Sequence, residues 1–148
     1  IPVILDKVEK VPMRRFEPVH LPYKTPFLLK EGGVQFCLNT RIGYPHDGNV
    51  RNLPNEAMRA AAYGLKKSEA LRAITLSAAE ILDIDDMVGS LDVGKDATFF
   101  ISDKAPMEMS QKVLMAFIQG REVDLNNRQK MLYKKYQEKY RRLGQLQP

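Results

Sequence analysis

Apolar residues along this chain fall into short blocks whose spacing changes from one end to the other. Ile1-Pro2-Val3-Ile4-Leu5 is a continuous apolar run, the pattern of a strand covered on both faces, with Pro2 tolerated because it stands at the strand's beginning. Residues 11–26 carry Pro12, Pro18, Pro22 and Pro26, too many for a helix interior or a central strand. This stretch reads as a long ordered connection, with a helical turn after Thr25 where Pro26 suits the first helical position. Glu31-Gly32-Gly33 breaks that turn, and Val34 to Leu38 makes a second apolar strand. A polar loop of fourteen residues follows, from Asn39 to Asn52. Loops of that length are uncommon unless functional or disordered.

The spacing then becomes helical. Asn52 or Leu53 stands near a cap, Pro54 falls early in the first turn, and Met58, Ala61 and Ala62 face inward before Tyr63-Gly64 stops the helix. Ser68 reads as a second cap ahead of Ala70, Leu71, Ile74 and Thr75, and Ser77 as a third ahead of Ala78, Ile81 and Leu82. Asp83, Asp85 and Asp86 lack the spacing of a calcium loop and read as a solvated turn. Strand, connection, strand, long loop and helices together match successive βα units of a parallel sheet or barrel.

From Val88 the pattern turns to β. Gly89 and Gly94 flank an acidic turn closed by Asp96, whose carboxylate is expected to accept from the turn's own amides. Ala97 to Ser102 supplies a buried strand through Phe99, Phe100 and Ile101. Val113 to Ile118 and Arg121 to Val123 flank Gln119-Gly120, a two-residue hairpin connection. Asn126 or Asn127 caps a final helix reaching about Leu143, with Leu132, Tyr136, Tyr140 and Leu143 on one stripe that is expected to pack against the rest of the protein.

Composition narrows the classes. At 44% hydrophobic and 28% charged residues the chain sits near globular averages, which excludes wholesale disorder. No apolar run approaches the length of a membrane span. The net charge of +5 would invite a nucleic-acid partner, but residues 128–142 alone carry seven basic side chains against Glu138, leaving −1 for everything else. The basicity belongs to one terminal helix, so a nucleic-acid partner is disfavoured. A binding module whose basic helix contacts nucleic acid stays as the alternative reading. The single cysteine, Cys37, excludes an internal disulfide and reads as a buried small hydrophobe, mildly favouring a reducing cytoplasm. Ile1 is no translation start, so the chain is expected to be a cut or excerpted piece, and a signal sequence upstream stays open.

Several phrases acquire meaning together. Val88-Gly89-Ser90-Leu91-Asp92-Val93-Gly94-Lys95-Asp96-Ala97 resembles the GS-x-x-x-GKDAD element of the amidohydrolase superfamily. Asn49 to Pro54, Ala61 to Leu65, Glu69 to Thr75, the hairpin Phe117 to Val123 and the closing Asp124 to Gln129 are similar, in this order, to imidazolonepropionase-like members. The resemblance implies an α/β fold: the carboxyl-terminal part of a (β/α)8 metal-dependent barrel plus part of a small β-sandwich. On that reading residues 1–87 are the last βα units, 88–125 the sandwich strands and hairpin, and 126–148 the basic helix.

The resemblance also implies hydrolysis of carbon–nitrogen bonds in cyclic, amide-like small molecules, by water activated on one or two divalent metals such as zinc. Such sites gather several histidines and an aspartate at the carboxyl ends of barrel strands. This chain has only His20 and His46, and no His-x-His pair, so most ligands are expected outside it and the chain alone should be inactive. His20 reads as a surface or packing residue. The family's last aspartate follows the final strand in a Thr-Asp or Ser-Asp pair, whereas here Asn39-Thr40-Arg41 places an arginine, which cannot ligate a cation, at that position. Asp47 is the candidate catalytic carboxylate, with Asn39, Thr40, Arg41, His46 and Asn49 as substrate-loop candidates. No metal ligand is assigned, with Asp47 and His46 open to that role. The alternative is an inactive amidohydrolase scaffold. Open strand edges imply a stable partner: the missing amino-terminal part, another copy, or both.

Overall fold

The structure, a computed structural model, describes residues 1–40 and 47–145. It opens with β1 (Val3–Leu5), α1 (Leu21–Glu31) and β2 (Phe36–Leu38). The two strands pair in parallel with Val3 opposite Phe36 and Leu5 opposite Leu38, so α1 is the crossover of a βαβ unit. α1 begins at Leu21, five residues before the turn expected from Pro26. Pro22 occupies the first turn, where its missing N–H has no partner to lose. Pro26 lies inside the helix and is buried, while the Thr25 hydroxyl donates to the Leu21 carbonyl at 2.9 Å. Density of proline was therefore a poor breaker here. The helix ends as the glycines dictate: Gly33 has φ +67° and donates to Lys30, and Val34 donates to Leu29.

The second half of the long polar loop is not irregular, because Asp47–Asn52 winds into a 3-10 helix that leads directly into α2 (Leu53–Ala62). α3 (Lys67–Ala73) and α4 (Leu76–Ile81) follow. Neither expected serine cap holds: α3 starts before Ser68, and Ser77 lies buried within α4, with Thr75 at its start. The core gathers Val8, Phe36, Leu38, Ala57, Ala60, Leu65, Ala70, Ala73 and Met107. Four fully or almost fully buried alanines let α2 and α3 approach β2 closely. The inward face of α2 is accordingly Glu56, Ala57 and Ala60, with Met58 and Ala61 at its margin, and Ala62 is exposed.

Three antiparallel strands form a separate sheet in the order β3 (Phe99–Ser102), β4 (Val113–Ile118), β5 (Arg121–Glu122). Phe99 faces Phe117 across the pair with ring centroids 5.0 Å apart. The hairpin turn has φ +50° at Gln119 and +75° at Gly120, the paired left-handed geometry that matches strand twist. β3 is not buried as expected. Phe100 and Ile101, on opposite faces of the sheet, are 45% and 44% exposed, so neither face is fully covered by the described residues. α5 (Arg128–Arg142) starts where Asn127 Oδ1 accepts from Lys130 N at 2.8 Å. It has no buried residue, and Leu132, Tyr136, Tyr140 and Leu143 are all exposed, so nothing among the described residues covers that stripe. No helix among the described residues is long and apolar enough to cross a membrane.

Candidate functional site

Loops at the carboxyl ends of parallel strands are where α/β proteins place their chemistry, because side chains there converge without competing for the sheet's own hydrogen bonds. β1 delivers Asp6 to Glu9 to that end, and β2 delivers Asn39 and Thr40. The ladder runs one step past the strands, with Asn39 N donating to the Leu5 carbonyl at 2.8 Å. Thr40 is buried and Asn39 partly so. Two of the substrate-loop candidates thus stand on the end of a buried strand. Asp47 and Asn49 lie in the 3-10 helix that leads into α2. Arg41 and His46, and the side chains of Asp47 and Asn49, lie outside the described residues. His20 is exposed at the N-terminus of α1.

Sequence reasoning missed Glu56. It stands in the first turn of α2 and is 2% exposed. Its Oε2 accepts from the backbone of Val8 at 2.9 Å and of Glu9 at 3.3 Å. Its Oε1 meets Arg59 Nη1 at 3.0 Å, and the same guanidinium reaches Glu9 Oε2 at 3.0 Å. The helix after β2 therefore grips the loop after β1. The available signal was a carboxylate on the apolar face of an otherwise alanine-lined helix, a placement that requires a partner.

Alternation puts Phe36 and Leu38 toward the helices with Val3 and Leu5, and Cys37 with Ile4 on the opposite face. Burial pushes the Cys37 thiol up, as expected of an inert packing cysteine. At the opposite end of the strands, Lys30 pairs with Glu69 at 3.1 Å, and Arg72 pairs with Glu80. The acidic turn closes differently from expectation. Asp92 is its carboxylate, accepting from Ser90 Oγ at 2.5 Å with Lys95 at 3.6 Å, both of which hold its carboxyl below the usual range. Asp96 Oδ2 accepts instead from the Gln119 side chain at 3.2 Å, tying the turn to the hairpin. The Asp83–Asp86 segment is a turn with φ +57° at Asp83.

The described residues do not fit a metal. Among them no three histidine, cysteine, aspartate or glutamate side chains converge. At the strand ends, both Glu56 oxygens are taken by amides and Arg59, and Asp6 pairs with Lys10 at 3.3 Å.

Residues 26–123 match the model of the amidohydrolase family, and the chain belongs to that family. In structure it is similar to an amidohydrolase from Thermotoga maritima MSB8, with a TM-score of 0.69 and 27% identity over 83% of this chain and 31% of that one. A second amidohydrolase shares the fold at a TM-score of 0.58 and 20% identity, covering 73% of this chain and 28% of its own. An uncharacterized protein does so at 0.58 and 21%, covering 71% and 27%. The chain thus spans less than a third of each of these structures. No curated protein matches it.

Proposed function

We propose that the chain is the carboxyl-terminal portion of an imidazolonepropionase-like amidohydrolase that hydrolyses carbon–nitrogen bonds in cyclic, amide-like small molecules. It supplies the last βα units of a (β/α)8 barrel and part of the accompanying β-sandwich. The observation that carries this reading is the family match over residues 26–123 together with a TM-score of 0.69 to the Thermotoga amidohydrolase. The shape of the parallel pair agrees with it. Parallel sheets are covered on both faces, yet Ile4 is 53% exposed on the face away from the helices, which in a closed barrel is the interior. Phe100, Leu114 and Ile118 leave a second apolar surface open on the antiparallel sheet. The amino-terminal part of the same protein, a further copy, or both would cover these surfaces.

On this reading the ends of β1 and β2 form one sector of the active site, with Asn39 and Thr40 on its rim and Asp47 as the candidate catalytic carboxylate. Ligands for a divalent metal come mostly from elsewhere in the protein. The inactive-scaffold reading keeps one specific support, Arg41 at the position where the family carries aspartate.

Ring opening separates the two. The intact protein is incubated with hydantoin and dihydrouracil, and the carbamoyl acid released by adding water across the ring amide is measured. Turnover that falls in an Asp47→Asn variant supports the enzyme. A folded protein that opens neither ring would refute it, and the absence of metal on elemental analysis would then favour the scaffold.

A further inference from the structure

Glu56 is the one buried carboxylate among the described residues, and it spends its acceptors on a segment 48 residues away in the chain. A glutamate in the first turn of a helix ordinarily serves that helix, stabilised by its own free amides. Glu56 instead receives the N–H groups of Val8 and Glu9, in the loop that leaves β1. Arg59, one turn further along α2, completes the arrangement by reaching both Glu56 and the Glu9 side chain at 3.0 Å. Three links therefore join the helix following β2 to the loop following β1, directly behind the strand ends where Asn39 N bonds the Leu5 carbonyl.

Stability alone does not require a carboxylate here. Burying a charge is costly, and well-packed apolar residues of similar volume often replace buried ion pairs without loss. A carboxylate differs from a methyl group in giving direction: two amides aimed at one oxygen fix the orientation of the peptide planes between Lys7 and Glu9. Those planes lie within three residues of Asp6, the first side chain past β1 at the candidate active-site end.

We propose that Glu56 is a positioning residue for the amidohydrolase site. It locks the loop after β1 to α2, so that the rims contributed by the two parallel strands hold one fixed relative geometry. Arg59 acts through it and through Glu9, and neither residue touches substrate. This rests on the reading that the strand ends belong to an active site, and the test keeps the two apart.

The intact protein is compared with its Glu56→Ala, Glu56→Gln and Arg59→Ala variants by amide hydrogen exchange and by turnover of hydantoin or dihydrouracil, whichever the wild type opens. In Glu56→Ala, exchange at Val8 and Glu9 rises about tenfold or more, the effect of losing hydrogen bonds to a charged acceptor, while the β3–β4 amides keep their protection. The value of kcat falls about ten- to a hundredfold, the range for loss of positioning away from the chemistry, with KM within a few-fold of wild type. Glu56→Gln keeps one acceptor oxygen at the same reach and recovers part of both, which preserves the test should the alanine variant fail to fold. Unchanged exchange at Val8 and Glu9 overturns the clamp. Raised exchange with unaltered kcat overturns the positioning role. A wild type without turnover on either ring sinks the proposed function and the positioning role with it, while the exchange data still decide whether Glu56 holds the loop.

Discussion

Gly89 stands where the chain leaves the helical part and enters the antiparallel sheet, and replacing it by alanine tests how closely the two are joined. Its φ is +96°, a region that side chains rarely adopt, so any Cβ there costs roughly 1–3 kcal/mol in backbone strain. The space is also occupied. A Cβ at Gly89 would meet Ala79 Cβ at 2.7 Å and Leu76 Cα at 3.0 Å, and both atoms belong to the body of α4 rather than to a side chain that can swing aside. Forcing a methyl into such contact adds about 1–3 kcal/mol.

Gly94 provides the control within the same turn. Its φ is +95°, but an added Cβ meets nothing within 4 Å. Gly94→Ala therefore carries the backbone cost alone, and Gly89→Ala should be the less stable of the two by about 1–3 kcal/mol, the overpacking part. Urea unfolding followed by circular dichroism measures both midpoints, and the m-value reports whether the unfolding transition stays comparable. In thermal unfolding the difference corresponds to roughly 2–4 °C per kcal/mol for a chain of this size. Equal destabilisation by the two substitutions would refute the claim that α4 and the turn are in tight contact at Gly89.

Other expectations follow from single contacts. Asn127→Ala removes the cap to Lys130 N and costs the start of α5 about 1 kcal/mol. Because α5 buries no residue, this appears as fraying in helical circular dichroism and not as global unfolding, and an unchanged signal would contradict it. Cys37 is 5% exposed with its thiol pushed up by burial, so a disulfide reagent at pH 8 should label it only as urea unfolds the chain; immediate labelling in buffer would be inconsistent with a buried strand. The hydrogen bond from Lys30 holds the Glu69 carboxyl below the usual carboxylate range. A depressed folded-state value means that this pair's contribution is present above the unfolded-state value and is lost as pH falls through the folded one. In Lys30→Met the Glu69 titration followed by carbon-13 NMR should move up; no movement would remove Lys30 as the cause.

Local chemistry was legible where a residue's conformational requirement stands by itself. Gly33, Gly89, Gly94 and Gly120 all adopt positive φ, Asn127 caps its helix, and Gln119-Gly120 makes the hairpin turn, since each depends on a few neighbouring backbone angles. The buried run Phe36-Cys37-Leu38 was equally plain, because a strand buried along its whole length leaves no solvent face to mark with polar residues. Serine caps and proline breaks were misread for the opposite reason. Ser68, Ser77 and Pro26 sit inside helices that pack against the rest of the fold, Ser77 and Pro26 buried there, and tertiary packing overrides what their local preference suggests. Among the described residues, the candidates Asn39 and Thr40 stand at a strand end and Asp47 and Asn49 in the 3-10 helix.

Sequence by itself determined the parallel-unit-then-hairpin order, the turns, the family resemblance and the concentration of positive charge in the last helix. The order, the turns and the charge follow from composition and from short-range backbone sterics, which act between residues a few positions apart, while the resemblance rests on the quoted phrases themselves. Tertiary structure alone decided that Glu56 grips Val8 and Glu9, that Asp96 reaches the hairpin, and that Phe100 and Ile101 stay half-exposed. A hydrogen bond across 48 residues, or a face left without cover, depends on which surfaces the folded chain brings together, and no local pattern encodes that.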